Sequence, residues 1–160
     1  TLSLERRNAA IMFIDLRDFT SFAEAASAGE LALLLAEYRH LVAKTIFEHG
    51  GTIDKFIGDG VMAVFGQPSP EIDDADRALA CAVALVDQLN DWKNRRKVQG
   101  YPALDAGIGL HFGGVVGGVL ESGFHDEFTV IGDAVNVAHR LECHAKSLNA
   151  TLVVSFALME

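Results

Sequence analysis

Cysteine is scarce in this sequence. Its 160 residues include only Cys81 and Cys143, each alone in a helix-like segment, with no CxxC pair. A disulfide scaffold is therefore not expected, and a reduced, cytoplasmic setting is. Positive charge is short as well: 13 Lys and Arg stand against 22 Asp and Glu, a net charge of −9. That balance argues against a nucleic-acid surface, which needs clustered cations, but leaves room for a nucleotide held through metal ions and a few cations. Long apolar runs are missing too. The longest uncharged stretch, Ala106–Leu120, is too short and too glycine-rich to span a bilayer, and no signal peptide is legible. The sequence begins at Thr1 rather than methionine, so it is expected to be a piece of a longer protein, with regulatory, sensor or membrane-anchoring segments outside it. What is plentiful is apolar side chain, 50% of the residues. One domain over 1–160 with a real core is the expectation.

The chain is organised around a hairpin, Thr52 to Gly66, in which the apolar runs Ile53–Ile57 and Val61–Phe65 flank Gly58-Asp59-Gly60. Gly and Asp between two strand-like runs supply the backbone angles a tight turn demands. Asp59 then stands at the tip. A second carboxylate, Asp15, closes the apolar run Ala9–Ile14, read as a buried strand. Two acidic residues at strand ends suit a divalent-cation site, since carboxylates are costly to bring together without a cation. After Asp15, the residues Leu16 to Ser21 read as a turn into a short helix. Its first N–H groups, around Phe19 and Thr20, form either an anion cradle or an ordinary helix start capped by Asp18 or Thr20.

A capping box, Ser27 with Glu30, opens the next helix, whose apolar positions Leu31, Leu34, Leu35, Tyr38, Leu41, Val42 and Ile46 end at Gly50-Gly51. Beyond a break at Pro68–Pro70, Asp73 and Asp74 start another helix with the stripe Ala78, Ala82, Leu85, Leu89 and Trp92. The cations Lys93, Arg95, Arg96 and Lys97 at its far end read as a solvated terminus. Leu104–Phe112 alternates as a half-buried strand, with Gly107, Gly109 and His111 on one face. Gly113-Gly114 reads as a turn into Val115–Leu120, Glu121–Glu127 as a loop and Phe128–Ile131 as a brief strand. The strand glycines admit either a ligand or a bent sheet packed under helices. The last helix carries Ala134, Ala138, Leu141, Ala145 and Leu148 as its apolar stripe. Asn136 and Arg140, at i and i+4, point the other way, either as a plain solvent face or as an amide and a guanidinium for a sugar and a phosphate oxygen. His139 and Cys143 share the same spacing but lack a third metal ligand in the sequence.

Strand, helices, hairpin, helix, hairpin, strand and helix in that order fit an α+β, ferredoxin-like βαββαβ core: an antiparallel sheet with helices on one face. In that topology the first strand lies beside the hairpin, bringing Asp15 near Asp59. The segments FIDLRDFT, DKFIGDGVMAVFG and FTVIGDAVNVAHRLE, in this order and spacing, resemble the catalytic domain of class III nucleotidyl cyclases over nearly the whole chain. The resemblance implies two ions of Mg2+ or Mn2+ held by Asp15 and Asp59, with Leu16 lending a backbone carbonyl. It further implies Lys55 and Thr129 as readers of the purine edge, Asn136 and Arg140 on the ribose and reacting phosphate, and Phe19, Thr20 and Gly58 against the substrate. The implied enzyme is a homodimer whose two sites span the interface, and its reaction is cyclisation of ATP to cyclic AMP. Lys55 can only donate, while the Thr129 hydroxyl can accept from the adenine amino group. A guanylate cyclase, or a non-catalytic nucleotide-binding or dimerisation module of the same fold, are the alternatives. Two departures stand out: His139 where a small residue is usual, and no match before Glu160 for the C-terminal strand pair and its triphosphate-gripping lysine.

Overall fold

The apolar run Ala9–Ile14 forms the middle of a much longer strand at the centre of a sheet. The structure is a computed structural model describing residues 3–66, 71–122, 125–148 and 150–155, with the backbone alone at 3, 119–122 and 125–129. In chain order it has β1 (Ser3–Leu16), α1 (Phe19–Ala25), α2 (Ala28–Glu48), β2 (Thr52–Ile57) and β3 (Gly60–Phe65). Then follow α3 (Asp74–Val98), β4 (Ala106–Ser122), β5 (His125–Ile131), α4 (Asp133–Ser147) and β6 (Leu152–Val154). The sheet order is β2-β3-β1-β4-β5, antiparallel throughout. The short β6 adds to β4 in parallel, on the edge that β5 uses further along. The βαββ and following αβ units thus form the expected ferredoxin-like core, and the hairpin strand β3 lies directly against β1.

The two faces of β1 divide the core. Ala10, Met12, Ile14 and Leu16 pack under α2 and α3, against Leu34, Tyr38, Val42, Leu85 and Trp92 among others. Ala9 and Ile11 pack on the opposite face with Met62, Val64, Val115 and Ala134 and Ala138 of α4. Helices therefore cover both faces of the sheet, not one as expected from the element order. The glycines of β4 explain why. A Cβ at Gly109 would collide with the backbone of Ala138 and Glu142, so this position must be glycine for α4 to lie so close.

Several boundaries differ from the sequence reading. β1 starts at Ser3, not Ala9, because its polar residues 3–8 pair with the second half of β4, from Ser3 opposite Val119 to Asn8 opposite Gly114. β4 begins at Ala106 and runs unbroken through Gly113-Gly114, which make no turn. β5 starts at His125 within the segment read as a loop. Leu148 falls just past the end of α4 and is exposed, and the buried residues of the helix are Ala134, Ala138, Glu142 and Ala145. The cationic end of α3 is only partly solvated: Arg96 is buried, donates to the Pro102 carbonyl and to Glu37, and lies over Trp92 and Tyr101. The α2 cap is as read, with the Ser27 hydroxyl accepting from the Glu30 N–H at 3.2 Å. The Pro68–Pro70 break lies outside the described residues. Cys81 is buried in the core and its thiol is pushed up to about 12 by that burial. No helix of the described residues is long and apolar enough to cross a membrane.

Candidate active site

The ends of β1 and the β2–β3 turn meet. Ile57 pairs with Gly60, so the turn is the two residues Gly58-Asp59, with Gly60 already in β3. Gly58 has φ +59°, a region that glycine enters without strain, and its carbonyl accepts from Arg39 of α2 at 2.7 Å. Arg39 also lies 4.9 Å from the Phe56 ring centroid, so α2 steadies the hairpin twice. Across the gap the Leu16 N–H donates to Asp59 Oδ2 at 2.9 Å, which fixes the turn carboxylate against the last residue of β1. Asp15 stands opposite Gly107 of β4. Asp15 and Asp59 line one cavity of about 230 Å³ with Phe13, Ile57, His139 and Glu142.

Two residues with no role in the sequence reading support Asp15. The Arg17 guanidinium donates to Asp15 Oδ1 at 3.1 Å and to Glu142 Oε1 at 2.8 Å. Glu142 is almost wholly buried, its side chain 5% exposed. The room for the pair comes from β4, where any Cβ at Gly107 would overlap the Arg17 guanidinium. The available signal was the position of Glu142 itself, a carboxylate at helical spacing from Ala138 and Ala145 on the buried face of α4. Burial pushes the Asp15 carboxyl up to about 8, reinforced by Glu142 and Asp59 and opposed by Arg17. Such a group takes its charged form most readily with a cation beside it. Carboxylates with a neighbouring backbone carbonyl are hard-oxygen donors of the kind Mg2+ and Mn2+ accept, so the residues present fit such ions.

The remaining expected positions are distributed elsewhere. Phe19 and Thr20 are the first residues of α1, and Asp18 before them is in the left-handed region with φ 57°. Asp18 makes no side-chain cap, so the simple capping alternative does not hold for it. Lys55 lies just past a bulge in β2, half exposed, with its ammonium 3.4 Å from Asp54. Thr129 stands opposite Gly118 in β5, and its side chain is outside the described residues. Asn136 and Arg140 are exposed on α4 and do not line the carboxylate cavity. His139 does line it, with its ring 5.2 Å from that of Phe13. One chain thus gathers Asp15, Leu16 and Asp59 but not Lys55, Asn136 and Arg140.

Fold and sequence together define the class. Residues 3–157 match the family model of the Adenylate and Guanylate cyclase catalytic domain, and the chain belongs to that family. It is 37% identical over 153 residues to the adenylate cyclase of Anabaena cylindrica, covering 93% of this chain and 30% of that protein. The crystal structure of the adenylyl cyclase CyaB from P. aeruginosa superposes with a TM-score of 0.89 at 31% identity, over 98% of this chain and 81% of that one. The guanylyl cyclase Cya2 gives 0.84 at 37% identity, over 89% and 73%. The chain spans under a third of the length of the first curated relatives it matches.

Proposed function

We propose that this domain converts ATP to 3′,5′-cyclic AMP and pyrophosphate. The observation that carries the reading is that Asp59, held by the Leu16 N–H, lines one cavity with Asp15, which concentrates carboxylates at one edge of a cyclase-family fold. Asp15, Asp59 and the Leu16 carbonyl would hold two divalent cations, Mg2+ or Mn2+. Bound there, such ions supply positive charge that favours loss of the ribose 3′-hydroxyl proton and offsets the triphosphate charge. Arg17 and Glu142 hold the Asp15 carboxylate in place. N–H groups at Phe19 and Thr20, with Gly58 opposite, receive the phosphates. Lys55 donates to a purine ring nitrogen and Thr129 accepts from the adenine amino group. Asn136 orients the ribose, and Arg140 stabilises charge on the α-phosphate, a contribution worth about 10²–10³ in rate. The 3′-oxygen forms its bond to the α-phosphorus as the bond to pyrophosphate breaks, and the hydroxyl proton leaves to water or to substrate. Lys55, Asn136 and Arg140 come from a second copy of the chain, since none of the three lines the carboxylate cavity of its own.

Guanylate cyclase is the second reading, on the strength of the 37% identity to Cya2. Against it stands Lys55, a donor where recognition of the guanine N–H groups calls for an acceptor. The test incubates the full-length protein with ATP or GTP and Mn2+ and measures both cyclic nucleotides. Cyclic AMP is expected from ATP, lost in chelator and in Asp59→Ala. Product that survives chelation sinks the metal assignment, and cyclic GMP in excess selects the second reading.

A further inference from the structure

His139 and Cys143 lie one helical turn apart on α4, and the fold brings them the third donor that spacing alone did not offer. Cys143 Sγ is 3.9 Å from His139 Nε2 and 3.8 Å from Glu142 Oε2. The three donor atoms all lie within 4.8 Å of one another. Around a tetrahedral zinc ion, with Zn–S about 2.3 Å and Zn–N about 2.0–2.1 Å, two donors sit about 3.5 Å apart. The two distances from sulfur therefore need to close by only a few tenths of an ångström, and the His139–Glu142 separation from at most 4.8 Å.

Its surroundings suit a site as well. Glu142 is held from the far side by Arg17 on its other carboxylate oxygen, which leaves Oε2 turned toward Cys143. The His139 ring rests on Phe13, which limits its orientations. Supports of this kind are what align metal ligands before the ion arrives. His139 and Cys143 are exposed, so an ion can enter from solvent. A thiolate and an imidazole select borderline and soft ions over Mg2+, in contrast to the oxygen donors of Asp15 and Asp59.

We propose that His139, Glu142 and Cys143 bind one zinc-class transition-metal ion per chain, with water as fourth ligand, at a site that adjoins the Asp15–Asp59 cavity but takes neither aspartate as a ligand. Coordination releases the thiol proton to solvent and leaves the Glu142–Arg17 ion pair intact through the second oxygen. This goes beyond the cyclase reading and does not depend on it.

The test titrates the full-length protein with Co2+ in excess Mg2+ and follows absorbance, then adds Zn2+. One equivalent per chain is expected, with a thiolate-to-cobalt charge-transfer band that Zn2+ bleaches. Cys143→Ser should abolish the band, and His139→Ala should weaken binding by at least about tenfold, the scale already seen for outer-shell changes. Asp59→Ala should leave the band in place. Both α4 substitutions are at exposed positions, and circular dichroism checks the fold of each. A wild-type protein without the band overturns the proposal. So does Co2+ affinity that is unchanged in Cys143→Ser, or that disappears only in Asp59→Ala, which would put the ion on the carboxylate pair.

Discussion

Asp15 is the residue on which opposing demands fall most plainly. Its surroundings favour the proton: it is partly buried, beside Glu142, with Asp59 across the gap, and its carboxyl is pushed up to about 8. A group whose folded pKa lies above its unfolded one gives stability that is complete below the unfolded value and gone once pH passes the folded value. In the absence of divalent cations, Asp15 should therefore cost stability as pH rises from about 4 to about 8. The expected result is a wild-type Tm that falls over that range more steeply than the Tm of Asp15→Asn, which has no proton to lose. On the proposed metal assignment Mg2+ needs the ionised form of Asp15, so the rise in Tm on adding Mg2+ should grow with pH and level off above about 8. Equal slopes for the two proteins in thermal melts would show that Asp15 titrates normally. At Lys55 and Thr129 the question is hydrogen-bond polarity. If the two residues read the base as proposed, Lys55→Glu with Thr129→Cys inverts the pattern offered to the purine and leaves ATP facing unpaired groups, at about 1–3 kcal/mol each. The ratio of kcat/KM for ATP over GTP should fall in the double variant. That ratio is internal to one sample, so any loss of folded protein from placing Glu beside Asp54 does not affect it. An unchanged ratio would remove both residues from base recognition.

At the scale of elements, what the sequence made legible was whatever carried an apolar period or a turn signal. The hairpin, α2, α3 and the first half of β4 were of that kind, and so was the approach of Asp15 to Asp59. The polar start of β1 was not, because residues 3–8 are held by ladder hydrogen bonds to β4 and not by a buried face. Gly113-Gly114 resembled a turn for a related reason: local composition cannot distinguish a chain reversal from a strand on which a helix lies close. Glu142 and Arg17 went unread because their pairing joins the turn after β1 to α4, far apart in sequence. Gly109 tests the element-level account. Its Cβ would meet the backbone of Ala138 and Glu142, which cannot move aside as a flexible side chain would. Gly109→Ala should destabilise the domain by about 1–3 kcal/mol, the usual cost of overpacking, and displace the helix that carries Glu142, Asn136 and Arg140. Gly29→Ala, at a helical position with nothing near a Cβ, should be neutral or stabilising by up to about 1 kcal/mol. Denaturant melts of the two variants compare them directly, and equal midpoints would contradict the close packing of α4.

The whole molecule is where the distribution of polar residues acquires meaning. Asp15 and Asp59 line one cavity, whereas Asn136 and Arg140 are exposed on α4 and do not line it. Exposed Ile57 stands beside that cavity, and exposed Ile131 and Leu148 flank the two ends of α4. Apolar side chains left in solvent next to both halves of a divided site are suited to an isologous contact, in which one surface serves twice. The active form is accordingly expected to be a homodimer with two shared sites, and complementation tests it. Asp59→Ala and Arg140→Ala, each inactive alone, are mixed under conditions of chain exchange. In a mixed dimer one site carries both lesions, and the other joins an intact Asp59 to an intact Arg140. Random pairing makes about half the dimers mixed, each with one good site of two, so about a quarter of wild-type activity should return. If every site lay within a single chain, each would keep one lesion and nothing would return. A flat zero, after exchange is verified by mass-tagged subunits and both variants are shown to be folded, rules out the shared site.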